Sequence, residues 1–231
     1  MPARNTIKVY VANGIYHLYN RGVEKRTIFE DDYDYSVFLN CLKEALLPPK
    51  ELPKTLETIS FKGTSFKGVP RPPKNFSTEI DLLAYSLMPN HFHLLLKQKN
   101  ERSIDGFMRS IATRYVVHFN KRYKRIGPLF QSIYKANLVS DDVYLLHASR
   151  YIHRNSLKLN KVLLGAYSSY ADYLGKRHTA WLKTNIVLDM FKPTELPFLH
   201  HTNSYQQFVE FENELSDEAI AATYFLPEED L

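Results

Sequence analysis

Apolar and polar positions alternate most clearly in the stretch "YSLMPNHFHLLLKQ", residues 85 to 98. Successive side chains of a β-strand point to opposite faces, so Phe92, Leu94 and Leu96 share one face while His91 and His93 share the other. In "MPN", Pro89 fixes φ and Asn90 tolerates left-handed geometry. That is the chemistry of a tight turn, so "DLLAYSL" is expected to pair antiparallel with "HFHLLLKQ".

The same reading extends to both sides. "GIYHLYNRG" (14 to 22) alternates and predicts a first strand ending at Gly22. "DDYDYSVFLNCLKEALL" (31 to 47) has acidic residues in its first turn and Val37, Phe38, Cys41, Leu42 and Ala45 at helical spacing, with Pro48 and Pro49 as the stop. Residues 48 to 79 are rich in Pro, Gly and Lys, and only "LETISF" is strand-like, which predicts an inserted loop or short surface hairpin. A helix is expected over 103 to 127, with Ser103 as cap and Gly127 as stop, and a strand over "GPLFQSIYKANLV" (127 to 139). The order β-α-β-β-α-β is the ferredoxin-like arrangement, an α+β fold with a four-stranded antiparallel sheet and both helices on one face.

A further helix is expected over 140 to 158, opened by Ser140, Asp141 and Asp142. Its Leu145, Ala148 and Ile152 form a packing face, beside a polar stripe of Tyr144, His147, Tyr151 and Asn155. Beyond Asn160 the chain turns acidic and tyrosine-rich: "GAYSSYADYL", a helix-like "TAWLKTNIVLDMF", then "SYQQFVEFENELSDEAIAATYF". The expected organisation is a body over 1–160, with an insert at about 48–79, followed by a C-terminal extension over 161–231.

With 231 residues and 44% hydrophobic content, the chain can bury one substantial core. A single cysteine, Cys41, excludes an intramolecular disulfide and a multi-cysteine zinc cluster. No apolar run approaches the ~20 residues of a membrane span, and the N-terminus lacks a signal pattern, so a cytoplasmic protein with no membrane partner is expected. The net charge of +5 hides an asymmetry. Residues 1 to 160 hold 25 Lys+Arg against 14 Asp+Glu, a balance of +11, whereas the remainder holds 5 against 11, a balance of −6. A basic body favours a polyanion partner, because each cation set against a phosphate releases condensed counterions. Many soluble domains are basic for other reasons, so charge alone leaves that open.

Two imidazoles one strand step apart can hold a divalent cation. The plainer reading makes one a hydrogen-bonded core residue and the other a surface residue. Tyr151 and Asn155 lie one helical turn apart and can face one site. Together these groups suit phosphodiester cleavage: a cation on His91, His93 and the Asn155 side-chain oxygen polarises a phosphate that Tyr151 attacks, remaining attached to one end of the broken strand. Two imidazoles and an amide leave open positions that Mg²⁺ or Mn²⁺ suits better than a closed zinc site. Helical spacing equally allows Tyr151 to be an ordinary core tyrosine, one of 16 in the chain.

"YHLYNRG", "HFH", "FMRSIATRYVVHFNKRYKRIGPLFQ" and "SRYIHRN", in that order over roughly residues 14 to 165, resemble the single-tyrosine HUH transposases, and within them the REP-associated branch of the IS200/IS605-like family. The resemblance implies His91 and His93 as metal ligands, Tyr151 as nucleophile and Asn155 as the residue completing the Mg²⁺ or Mn²⁺ site. The implied activity is that of a single-stranded or hairpin DNA endonuclease and strand transferase with a 5′-phosphotyrosine intermediate, working as monomer or homodimer. Many relatives have Pro where this chain has Ser156. Arg109, Arg114, Lys121, Arg122, Lys124 and Arg125 of the basic helix are the expected DNA contacts, with Tyr115, Phe119 and Tyr123 as stacking or core rings. Tyr134, on the expected last strand, falls outside the nucleophile motif, and His118, His147 and His153 are expected on helix surfaces or behind the ligands. Two rivals remain: a domesticated protein that binds hairpin nucleic acid without cutting, and a metal-dependent hydrolase in which Tyr151 is structural.

Overall fold

The computed structural model describes residues 10–49, 56–61, 63–69, 72–155, 165–191 and 204–210. Its main sheet has the order β4-β5-β1-β6, formed by β1 (Ile15–Arg21), β4 (Ile80–Met88), β5 (His91–Gln98) and β6 (Lys135–Leu138), all neighbours antiparallel. Helices α1 (Asp32–Leu46) and α2 (Ser103–Arg122) pack together on one face. This is the expected α+β ferredoxin-like sheet. The insert forms a separate hairpin of β2 (Glu57–Phe61) and β3 (Thr64–Gly68).

Period-two alternation divides the sheet's labour. Tyr16 and Leu18 of β1 with Phe92, Leu94 and Leu96 of β5 point into the large core under α1 and α2. Leu95, with Leu83 and Ala84 at an irregularity in β4, points to the other face, where α3 (Asp142–Arg154) lies. Burying each large aliphatic or aromatic side chain contributes about 2 kcal/mol, so a one-residue register slip would forfeit both faces together.

Helix ends follow local chemistry, with corrections to the sequence reading. Asp31 caps α1 by accepting from the amides of Tyr33 and Asp34. Asp141 caps α3 by accepting from Tyr144 N, with Ser140 bonded behind it. Ser103 does not cap α2; it is the first helical residue, and its hydroxyl donates to Glu79. That helix ends at Arg122, before Gly127, where Lys124 takes a left-handed φ of 51°. The last strand is confined to residues 135–138, because 123–134 run as a loop whose Tyr134 is drawn to the α1/α2 side by Asp105 and Tyr10. Asn90 is not left-handed; its side chain does the work at that turn, as described below. Residues 156–158 of the expected last helix, and most of "SYQQFVEFENELSDEAIAATYF", lie outside the described residues.

The described parts of the C-terminal extension build onto the same body. Strand β4 is a sheet edge, and the chain from 167 to 183 covers it: Leu87 N donates to Tyr167 O, Ser169 N to Tyr85 O and Lys183 N to Leu82 O. Covering the edge satisfies backbone groups that would otherwise invite another strand. The short helices α4 (Tyr170–Tyr173), α5 (Asn185–Leu188) and α6 (Tyr205–Glu210) then close over α3. As a result α3 is buried nearly all round instead of on one face. Arg150 Nε donates to Phe208 O and Arg154 Nη1 to Val209 O, placing cations on the last carbonyls of α6. His153, expected at the surface or behind the ligands, is fully buried between Tyr205 Oη and Ser169 Oγ, each 2.7 Å from a ring nitrogen. Tyr205 in turn donates to Ser149 Oγ.

Two expected outcomes test this packing. Asp34 is wholly buried and accepts from Glu30 N, Arg122, Tyr123 Oη and His118. Its replacement by Ala strands these donors and should destabilise the protein by roughly 2 to 3 kcal/mol in urea denaturation. Burial pushes His153 down to about 3, below its unfolded value of about 6.5. Its contribution to stability is therefore complete above pH 6.5 and lost as pH falls toward 3, at about 1.4 kcal/mol per unit. Unfolding free energies compared across pH 7.5 to 4.5 should show His153→Gln gaining on the wild type at that slope below pH 6.5.

Candidate metal and nucleophile site

The site lies where β5, β1 and α3 meet. Residues 91, 93, 95 and 97 of β5 share a face with 15, 17, 19 and 21 of β1, in a register that sets Arg21 opposite His91, Tyr19 opposite His93 and His17 opposite Leu95. Beyond β1, Lys135 and Asn137 of β6 pair with Tyr19 and His17. Helix α3 brings Tyr151 over this surface. Its ring centroid is 5.6 Å from that of His93 and 5.9 Å from that of His17, both edge-on. His91 and His93 are 5.0 Å apart, centroid to centroid. Spacing on the strand and on the helix thus brings the two histidines and Tyr151 together, as expected.

The turn before β5 aims His91. Pro89 O accepts from Ile28 N and Phe29 N, and Asn90 O accepts from Gly22 N, so the loop after β1 wraps the turn. Gly22 is required there, since a Cβ would lie 2.2 Å from Arg26 O. The Asn90 amide donates to Lys25 O at 3.3 Å, which turns its oxygen to His91 Nδ1 at 2.7 Å. An amide oxygen only accepts, so Nδ1 of His91 carries the proton and Nε2 keeps its lone pair.

His93 is fully buried, and its Nδ1 lies 2.9 Å from His17 Nε2, with the two rings stacked at 5.1 Å. Burial pushes His17 down to about 3, so it is neutral at physiological pH. His17 was not singled out from the sequence. The signal was there, since it alternates in "YHLYNRG" as the histidines do in "HFH", but its partner depends on the β1/β5 register.

Asn155 caps the C-terminus of α3, buried, with its amide donating to Tyr151 O at 3.1 Å. Its side-chain oxygen remains an acceptor. Among the described residues no three His, Cys, Asp or Glu side chains are arranged to hold a metal. A cation here would therefore draw on imidazole nitrogens, an amide oxygen and exogenous oxygens. The orientation of His91 and the acceptor character of Asn155 fit such a hard divalent ion with open positions.

Tyr134 belongs to the opposite side. Its hydroxyl donates to Asp105 and lies 2.7 Å from that of Tyr10, and burial raises its pKa well above the usual phenol value. The basic residues of α2 lie on that side too, across the sheet from Tyr151. Arg114 pairs with Glu44, Arg122 with Asp31 and Asp34, and Arg125 donates to Asn120. Arg109, Lys121 and Lys124 are exposed. Tyr115 and Phe119 are core rings, and Tyr123 donates to Asp34. His118 binds Asp34 instead of facing the site, and His147 is half-buried against Phe208.

No helix among the described residues is long and apolar enough to cross a membrane. No curated protein matches the chain. A solved structure of a REP-associated tyrosine transposase bound to a REP hairpin matches it with a TM-score of 0.51 at 11% identity, over 83% of this chain and 93% of that one, which shows a shared fold. Residues 74–155, from β4 through Asn155 and so including both histidines and the tyrosine helix, match the family described as IS200-like transposases, the family that the ordered motifs of the sequence resemble.

Proposed function

We propose that the protein is a transposase-like, metal-dependent endonuclease and strand transferase acting on single-stranded or hairpin DNA through a covalent bond to Tyr151. The observation that carries this reading is the placement of Tyr151 by α3 over His93, at 5.6 Å between ring centroids, in the segment that matches the IS200-like family. The solved structure of similar fold holds a REP hairpin, which supports the same class of substrate.

His91, His93 and Asn155 would hold Mg²⁺ or Mn²⁺, which when bound polarises the scissile phosphate. Tyr151 supplies the nucleophile. Its phenolic oxygen bonds to phosphorus as the proton leaves, and the P–O3′ bond breaks so that the departing oxygen takes up a proton as a free 3′-OH. Aryl phosphate is a reactive linkage, because a phenolate, of pKa about 10, leaves more readily than hydroxide. The 3′-OH of a strand end can therefore reverse the step or join a different end.

The DNA path proposed here runs along the sheet face beside the histidines. Arg21 is the cross-strand neighbour of His91, and no described residue pairs with its guanidinium, whose Nε is buried. Desolvation lowers its pKa. Lys135 lies 5.8 Å from the Tyr19 ring, in the strand row that continues to His93. These two cations suit phosphates flanking the cleavage point, whereas Arg114 and Arg122 already hold carboxylates of α1.

Incubated with single-stranded DNA bearing a REP-like hairpin and Mn²⁺, the wild type should form a protein–DNA adduct that survives denaturing electrophoresis. Tyr151→Phe should abolish adduct and cleavage while hairpin affinity changes less than threefold, and Tyr134→Phe should keep both. Hairpin binding without cleavage by the wild type would favour the non-cleaving rival, and cleavage that survives in Tyr151→Phe would favour the hydrolase. In the Tyr151→Phe background, Arg21→Gln should lower the salt dependence of hairpin binding by about one unit of slope, as one lost phosphate contact requires. Arg114→Gln should leave that slope unchanged. The opposite pattern would move the DNA path to α2.

A further inference from the structure

We propose that His17 is a positioning residue for the metal site: its Nε2 accepts the Nδ1 proton of His93 and so keeps the Nε2 of His93 unprotonated, as binding a cation requires. The inference rests on the metal-dependent reading above, and concerns a residue of β1 that neither the HxH motif nor the tyrosine helix contains.

Three observations carry it. His17 Nε2 and His93 Nδ1 are 2.9 Å apart, a normal hydrogen bond, with rings stacked within 20° of parallel. Both side chains are excluded from solvent, at 1% and 0% exposure, so water is poorly placed to substitute for either ring. The third is the parallel with His91, whose Nδ1 is engaged by the Asn90 oxygen at 2.7 Å. Both histidines of the strand thus engage Nδ1 with a protein partner.

The chemistry then selects a direction. Between two neutral imidazoles only one nitrogen of the contact can carry the proton. If His17 donated, His93 would bear its own proton on Nε2 and could not bind a cation through it. If His93 donates, its Nε2 carries no proton, as binding a cation requires, and the stack holds the ring in place. For His91 an amide oxygen enforces the choice outright; for His93 it is enforced by a neutral acceptor that adds no charge to the site. Hydrogen-bond partners of this kind typically govern 10- to 100-fold in metal affinity.

The test measures metal without DNA. Mn²⁺ binding to the metal-free protein is followed by calorimetry for wild type, His17→Phe and His17→Gln, with thermal unfolding confirming that each is folded. Phe keeps a ring but no acceptor, and should weaken Mn²⁺ binding about 10- to 100-fold. Gln restores an acceptor oxygen and should recover most of the loss. Long-range ¹H–¹⁵N spectra of the wild type with Mg²⁺ should show the proton of His93 on Nδ1. Wild-type affinity in folded His17→Phe, a His93 proton on Nε2 in the Mg²⁺-loaded protein, or no Mn²⁺ binding by the wild type would each overturn the inference. Should Phe fail to fold, the Gln variant and the wild-type spectra decide. A wild type that binds Mn²⁺ through His17-dependent His93 yet yields no DNA adduct would overturn the strand-transfer reading and uphold the role of His17.

Discussion

The site depends on one helix being held from both sides. Tyr151 meets the histidines because α3 lies across the sheet face opposite α1 and α2, and apolar contact with Leu83, Ala84 and Leu95 alone would leave the rest of that helix in water. The C-terminal elements remove that freedom. Arg150 and Arg154 grip the end of α6, and His153 is bonded between Tyr205 and Ser169. A buried polar group without its partners costs on the order of 1 to 3 kcal/mol. Sliding α3 by even part of a turn would break several such bonds together. The tyrosine is therefore placed by contacts that reach 16 to 58 positions along the chain.

Alternation in the strands makes the rest possible. A single residue step separates Phe92, in a core of aromatic rings, from His91 and His93 on the working face. The two faces have opposite electrostatic arrangements. On the α1/α2 side, Asp31, Asp34 and Glu44 take up Arg122 and Arg114, while Arg109, Lys121 and Lys124 stay exposed. On the histidine side, the Arg21 guanidinium has no partner among the described residues and pays a desolvation penalty. A positive total for residues 1 to 160 says nothing about which face carries usable charge; the pairing does.

That difference marks where the sequence is legible. Spacing alone puts His91 and His93 on one strand face and Tyr151 with Asn155 on one helix face, because these are local periods of two and 3.6. The caps at Asp31 and Asp141 are local as well. What escapes is non-local. That Arg114 and Arg122 of α2 are already paired is not visible in a linear reading, because the carboxylates they hold sit 70 to 91 residues away. His17 looks like any strand histidine until the β1/β5 register brings it to His93, 76 residues on. His153 looks like a surface residue because the segment that buries it lies beyond residue 165. Asn90 was legible as a turn residue but for a different reason, since its side chain orients a histidine whereas its backbone needs no unusual φ.

The charge balance of the site follows from these same contacts. His17 is kept neutral by burial, Tyr151 and Asn155 bring no charge, and metal-binding imidazoles must be neutral as well. A divalent ion held there, on the reading proposed above, would keep nearly its whole charge for oxygens from outside the protein. A donor set without carboxylates binds Mg²⁺ or Mn²⁺ weakly on its own. On that reading a phosphate placed against Arg21 would supply the missing negative ligand, so cation and DNA would each raise the affinity for the other, by equal factors, as linkage requires. On the same reading, a neutral donor set would confine attack by Tyr151 to complexes in which a strand is already present.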